Sequence, residues 1–219
     1  RSIERTAHGL RRFILGLAKK LLLSGGCAIL VDAAFSAGEA LDARMAWLGA
    51  ISYSLQLYFD FSGYSDMAVG CAKCLGYDLS RNFNLPYISR NVTEFWKRWH
   101  ISLSTWLMEY LYIPLGGNRK GKARQYINLM LTMLIGGLWH GAAWTYVAWG
   151  GLHGLALCVH KMFMEWRRGK KHRDGPVIFW ISVFFTFWYV SFCLVFFRAG
   201  DFATALELIA AVFTWQQGV

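Results

Sequence analysis

The chain has 219 residues, of which 56% are apolar, 17% aromatic and only 16% charged, and its formal net charge is +10. An ordinary soluble domain has about 25% charged residues. This composition excludes a disordered chain and disfavours a simple water-soluble domain. The basic residues lie in runs between long uncharged stretches. That arrangement is typical of cationic loops at the surface of a lipid bilayer and does not favour a nucleic-acid partner.

The first apolar segment covers residues 10–31 and predicts a helix that enters a membrane. Its flexible basic side chains can extend toward the membrane surface. They are Arg11, Arg12, Lys19 and Lys20. A second apolar block, residues 45–59, leads into a stretch that contains Asp60 and Asp66. Carboxylates in apolar sequence are costly, so we expect each to have a partner or to line a wet cavity, where it could bind substrate.

The polar stretch of residues 76–91 contains Pro86 and predicts an irregular connection. Asn91 and Glu94 then resemble a capping box and predict a helix start. We expect one aromatic, amphipathic helix to follow, either crossing the membrane or lying in its interface. Four of its side chains fall at i, i+4, i+7 and i+11 and should share a face. They are Trp96, His100, Leu103 and Leu107.

Two basic segments come next, GGNRKGKAR at 116–124 and KMFMEWRRGKKHR at 161–173. The positive-inside rule predicts that both lie on the cytoplasmic side. The uncharged stretch between them is too long for one membrane crossing and slightly short for two. It should therefore enter the membrane and return.

The glycine pairs Gly136–Gly137 and Gly150–Gly151 are the expected breaks in this returning stretch. His140 would be roughly 24–31 Å of helix path from either basic segment. We therefore expect His140 to lie well inside the membrane.

Residues 176–197 carry no Asp, Glu, Lys or Arg and predict a membrane-spanning helix. The five cysteines are odd in number and lie mostly in apolar sequence, which disfavours a disulfide framework. Cys71 and Cys74 form a C-x-x-C motif, which we interpret as two small helix residues and not as metal ligands. Because the chain starts at Arg1 and shows no secretory signal, we expect it to be a piece of a longer protein.

Two histidines are the candidates for chemistry, His140 in GGLWHGAAW and His100 in KRWHISLS. An imidazole in a low-dielectric site is neutral near pH 7 and can accept a proton. A general base does this when a hydroxyl attacks an acyl thioester, and a second polar group can orient it or stabilise the developing charge. The commoner role of such a histidine is a hydrogen-bonded packing residue, which stays an alternative for both.

Several tryptophans and one more histidine surround these candidates. The tryptophans could line a substrate tunnel or anchor the chain at the membrane interface. They are Trp96, Trp139, Trp144 and Trp149. His153 in WGGLHG is either functional or structural.

Two other classes of protein remain open from the residues alone. In a secondary transporter, Asp60, Asp66 and His140 would relay protons or bind substrate at a broken helix. Such a transporter should show an inverted repeat, and the sequence contains none that we can detect. An inactive membrane scaffold for a partner enzyme would keep the helices and could lose both histidines.

Three segments carry a resemblance to a known family, YFDFSGYSDMAVG at 58–70, the stretch 81–121, and GGLWHGAAWTYVAWGGLHG at 136–154. In this order they resemble the membrane-bound O-acyltransferase family, in its bacterial polysaccharide O-acetyltransferase branch. The resemblance implies an all-α, polytopic transmembrane protein with broken or re-entrant helices. Residues 1–219 would then form a single transmembrane domain that lacks its amino-terminal half.

The resemblance also implies an activity. An acetyl or other short acyl group would move from a cytoplasmic thioester such as acetyl-CoA toward an exported cell-surface polysaccharide, with no bound cofactor or metal. Transfer would be direct or through a periplasmic partner of the SGNH-esterase type, at the bacterial inner membrane. The alternative within the family is D-alanyl export for teichoic acids, which the compact segment 116–124 disfavours.

The family's functional positions fall on three histidines of this chain. His140 matches a near-invariant histidine, and His100 matches a second essential polar position. We expect His140 to be the general base and His100 to orient the acyl group, although the family leaves open which of them takes the proton. His153 matches a further recurrent position without an assigned role.

Overall fold

The computed structural model describes residues 2–169 and 175–214, and within these ranges it contains helices and connecting turns but no β-strand. The predicted all-α fold is confirmed. The helices form two compact units, Arg1–Phe83 with Ala203–Val219, and Asn84–Phe202. The expectation of a single transmembrane domain stays a prediction.

The first unit is built on a pair of long antiparallel helices. Helix α1 (Ile3–Ala18) continues through a π-helical turn into α2 (Gly25–Phe35), so that the predicted first helix extends beyond both expected ends. Helix α3 (Ala43–Leu75) lies against it and begins at Asp42, whose side chain accepts a hydrogen bond from the Met45 amide. A short helix α9 (Phe202–Phe213) ends the described chain.

Both aspartates of α3 pair with basic side chains of the amino-terminal helix. Asp66 accepts hydrogen bonds from Arg12 Nε at 2.9 Å and from Lys19 Nζ at 2.6 Å. Asp60 forms an ion pair with Lys20. Each aspartate thus has a cationic partner, which is one of the two arrangements expected from the sequence. Arg12, Lys19 and Lys20 therefore pair with carboxylates of the facing helix. The expectation that the basic side chains of this segment extend toward the membrane surface stays a prediction.

The second unit begins with the predicted irregular connection, in which Pro86–Ile88 form one 3-10 turn. Helix α4 (Val92–Arg98) starts as predicted, since the Asn91 side chain accepts a hydrogen bond from the Glu94 amide at 2.8 Å. The expected long helix is interrupted, however. Helix α5 (Ile101–Leu107) is a separate element that runs into a π-helical turn.

A tertiary hydrogen bond explains why α4 stops. The carbonyl oxygen of Arg98, which would bond to the amide four residues on in a continuous helix, instead accepts from the Asn84 amide at 2.9 Å. The Trp99 carbonyl oxygen accepts from Ser104 Oγ at 3.1 Å. The predicted shared face of Trp96, His100, Leu103 and Leu107 is therefore wrong from His100 onward.

Helices α6 (Lys122–His140) and α7 (Trp144–Arg167) form an antiparallel hairpin, which confirms that the stretch doubles back. At its open end, Lys122 pairs with Glu165 at 2.8 Å, so the described parts of the two basic segments lie at the same end. Their hydrogen bond raises the pKa of Lys122 and lowers the pKa of Glu165. Lys170, Lys171 and Arg173 of the second segment lie outside the described residues.

The glycine pairs act as contact points between these helices and not as breaks. A Cβ atom on Gly137 would overlap the Tyr146 carbonyl oxygen, and one on Gly150 would overlap the Met133 carbonyl oxygen. The chain turns instead at Gly141 and the two residues after it. The expected breaks at both glycine pairs are wrong, because one glycine of each pair, Gly137 or Gly150, lets the two backbones approach closely.

Helix α8 (Pro176–Arg198) packs against α7, and Tyr189 Oη donates a hydrogen bond to the Leu152 carbonyl oxygen at 2.7 Å. Within the described residues, two helices are long and apolar enough to cross a membrane, Ile3–Phe35 and Pro176–Arg198. These are the segments predicted at 10–31 and 176–197.

Candidate active site

His140 is the last residue of α6, so the hairpin itself carries its imidazole to the tip. The ring is half-buried and packs edge-to-face against three aromatic rings, with centroid distances of 5.0–5.1 Å. These rings belong to Trp139, Trp149 and Phe197. The tip places His140 about one helix length, roughly 28 Å, from the basic end of the hairpin. The predicted depth of His140 in a membrane stays a prediction.

His100 occupies the break between α4 and α5, in the left-handed backbone region with φ of +42°. Few non-glycine residues adopt this conformation, and those that do often lie at functional sites. The half-buried imidazole lies close enough to His140 for their charges to interact. Its Nδ1 atom is 3.5 Å from Ser102 Oγ. The structure thus brings together the two histidines that the sequence singled out.

His153 is buried and only 1% exposed. Its ring stacks on Phe95 at 6.1 Å and meets the edges of Trp96 and Trp149 at 5.2 and 5.1 Å. Because Trp149 contacts both His140 and His153, one indole ring joins the two imidazoles. His153 therefore holds the packing around His140 and lies outside its immediate contacts.

The predicted tryptophans divide into two groups. Trp149 is buried and Trp96 half-buried, and their rings meet edge-to-face at 5.8 Å. Trp139 is 63% exposed and Trp144 is 76% exposed. Trp149 packs against both His140 and His153, and Trp96 packs against His153. Trp139 contacts His140 but, like Trp144, is mostly exposed.

Asp60 and Asp66 lie in the first unit, while all three histidines lie in the second. The carboxylates of Asp60 and Asp66 form the ion pairs with basic side chains described above. Their role in binding substrate stays a prediction. In the part of the chain that the structure describes, no three His, Cys, Asp or Glu side chains gather as metal ligands would.

Sequence reasoning missed the aromatic residues that α8 contributes. Phe197 contacts His140 and also packs on Tyr146 and Trp149, at 5.0 and 5.1 Å. Tyr189 approaches His153 at 6.3 Å. Both residues lie in a uniformly apolar helix, where no local signal distinguishes a ring that faces the site from one that faces lipid.

An apolar cavity of about 370 Å³ adjoins the cluster on the side of Trp96. Its wall comes from α4, α5, α6 and α7 and includes Leu107, Leu129 and Leu157. This volume lies within the usual range of about 300–1,000 Å³ for small-molecule pockets.

Two neighbouring histidines, of which His140 packs among aromatic rings, in a chain with two membrane-length helices define a helical membrane protein with a paired-histidine site. The chain belongs to the membrane-bound O-acyltransferase family, whose sequence profile matches residues 3–196. The family resemblance of the sequence is thereby confirmed.

Curated relatives match from about two thirds to nearly all of the chain. It is 45% identical over 214 residues to a probable alginate O-acetylase AlgI of Azotobacter vinelandii, covering 98% of this chain and 42% of the relative. It is 46% identical to a peptidoglycan O-acetyltransferase of Helicobacter pylori, covering 93% and 38%. A teichoic acid D-alanyltransferase of Bacillus subtilis is 32% identical, covering 68% and 40%. The chain spans about two fifths of the length of these relatives.

Proposed function

We propose that this chain carries the histidine site of an O-acyltransferase that moves an acetyl group from a thioester donor toward a cell-surface polysaccharide. The observation that carries the proposal is that one compact unit contains both His100, in its left-handed turn between α4 and α5, and His140, at the hairpin tip among aromatic rings. The names of the alginate and peptidoglycan relatives support acetyl transfer to a polysaccharide. Membership of the family also favours acyl transfer over the transporter alternative.

In the proposed reaction, His140 accepts the proton of the acceptor hydroxyl as general base. The hydroxyl oxygen forms a bond to the carbonyl carbon of the thioester, and the carbon–sulfur bond breaks. The thiolate leaves and takes the proton from the imidazolium. His100 orients the acyl group and donates a hydrogen bond to the carbonyl oxygen, where negative charge develops.

The donor would be acetyl-CoA or another acyl thioester on the cytoplasmic side of the bacterial inner membrane. The acceptor hydroxyl would belong to the polysaccharide itself or to a periplasmic SGNH-type partner that completes the transfer. Both routes use the same proton transfer at His140.

Complementation tests this function. In a strain that lacks the gene, the full-length protein should restore polysaccharide acetylation. His140→Ala should lower the initial rate of acetylation by about 100-fold or more, the usual contribution of a general base. His8→Ala, which removes an exposed histidine of α1, should leave the rate unchanged. Membrane abundance of each variant is measured by immunoblot. Unchanged acetylation by His140→Ala at normal abundance would refute the assigned role.

D-alanyl transfer is the second candidate, favoured by the 32% identity to the teichoic acid D-alanyltransferase. The same proton transfer would serve this reaction. Mass spectrometry of the acyl groups released from the cell surface by mild base distinguishes acetate from D-alanine.

A further inference from the structure

The end of α7 and the start of α8 enclose a pocket of about 490 Å³ that the proposed reaction does not use. Three arginines lie along it, Arg90 before α4 and Arg167 and Arg168 at the end of α7. Its apolar wall includes Phe163 and Ile178, which are 45% and 51% exposed. The pocket therefore combines cationic and apolar surface at one place.

The nearby carboxylates already have cationic partners. Glu94 pairs with Arg98 at 2.8 Å and with Arg90 at 3.4 Å. Glu165 pairs with Lys122 at 2.8 Å. Among the described residues that line the pocket there is no Asp or Glu, so the site has an excess of positive charge.

The arginine pocket shares a wall with the apolar cavity beside Trp96. His160 and Met164 line both spaces, one turn apart on α7. At this wall, Thr93 Oγ1 and His160 Nδ1 are hydrogen-bonded at 2.8 Å. The cationic pocket and the apolar cavity are therefore adjacent and share His160 and Met164 as lining residues.

We propose that this composite site binds one anionic phospholipid, with its phosphate at Arg167 and Arg168 and an acyl chain along Met164 toward the apolar cavity. Guanidinium groups bind phosphate oxygens through paired hydrogen bonds. Basic pockets between helices on the cytoplasmic side commonly bind anionic lipid headgroups. This pocket lies at the hairpin end that the positive-inside rule assigns to that side. A membrane protein is always surrounded by such lipids. The arginines of the pocket fit the phosphate of this occupant, and the apolar surface fits its acyl chain.

Native mass spectrometry of the purified full-length protein tests the proposal, because it needs no enzymatic activity. The protein is exchanged into detergent and incubated with dioleoyl-phosphatidylglycerol or, for comparison, with the zwitterionic dioleoyl-phosphatidylcholine. We expect one phosphatidylglycerol to stay bound under conditions that remove phosphatidylcholine. The double variant Arg167→Gln, Arg168→Gln should bind phosphatidylglycerol roughly 30-fold more weakly, because two basic contacts are lost.

A matched control removes the same charge elsewhere. Arg119→Gln with Lys120→Gln changes two exposed cations of the other basic segment, outside the pocket, and should bind phosphatidylglycerol like the wild type. Equal weakening in both double variants, or equal retention of both lipids, would overturn the proposal.

Two competing ligands test whether the pocket binds another phosphate-containing compound in place of the lipid. Millimolar inorganic phosphate should not displace the lipid, because it lacks an acyl chain. Acetyl-CoA should not displace it either, and displacement would assign the arginines to the thioester donor. Since binding is read directly, this proposal and the proposed acyl transfer can fail independently.

Discussion

The left-handed backbone conformation of His100 limits which residues can replace it without strain. Its φ of +42° is tolerated by Asn much better than by Ala. Asn also keeps a hydrogen-bond donor but cannot act as a base near neutral pH. The two substitutions therefore separate an orienting role from a basic one.

We predict that His100→Asn retains at least about tenfold more acetylation activity than His100→Ala, because a hydrogen-bond donor to the carbonyl oxygen remains. His140→Asn should be as inactive as His140→Ala, because no proton acceptor is left. Initial rates of acetylation at matched membrane abundance check both pairs. If Asn rescued position 140 but not position 100, the roles of the two histidines would be reversed.

At the scale of elements, the α6–α7 hairpin depends on close backbone contact. Neighbouring glycines of α7 differ sharply in the space beside them. At Gly150 a Cβ atom would overlap a carbonyl oxygen of α6, whereas at Gly151 its nearest contact is Leu134 Cδ2 at an ordinary 3.5 Å. The position of His140 at the hairpin tip depends on this packing.

We predict that Gly150→Ala destabilises the full-length protein by about 1–3 kcal/mol, the usual cost of overpacking. Gly151→Ala should leave stability unchanged or raise it by up to about 1 kcal/mol, because alanine favours a helix over glycine. Thermal unfolding in detergent compares the two variants. A similar decrease in both would show that helix contact at Gly150 is not the cause.

At the scale of the whole molecule, the open question is which way the hairpin faces across the membrane. The ion pair between Lys122 and Glu165 shows that both ends of the hairpin lie on the same side. The cationic segments at these ends predict that this side is cytoplasmic.

We predict that a topology reporter inserted after Lys122 and one inserted after Lys171, which lies outside the described residues, both report the cytoplasm. An alkaline phosphatase and a fluorescent protein fusion at each site give opposite, complementary readouts. A periplasmic result at both sites would invert the predicted orientation. Opposite results at the two sites would contradict the antiparallel hairpin.

Features that depend on neighbouring residues could be predicted from the sequence. The two long apolar helices follow from hydropathy, the start of α4 from the Asn91 cap, and the doubling back from an uncharged stretch between basic segments. The motifs around His100 and His140 identified the family and the candidate site. Each of these signals is local, because hydropathy, helix capping and motif spacing depend on residues that are close together in the sequence.

Other features required contacts between residues far apart in the chain. The Asn84 amide ends α4 and thereby places His100 in a left-handed turn, and Phe197 comes from α8 to pack on His140. The glycine pairs predicted helix breaks by composition, yet one glycine of each pair, Gly137 or Gly150, lies where two backbones touch. The amino-acid sequence by itself determined the two long apolar helices, the start of α4, the family and the two candidate histidines. Only the tertiary structure decided how the two histidines are placed, because the residues that contact them come from distant segments. Those segments carry no local sequence signal that identifies the contacting residues.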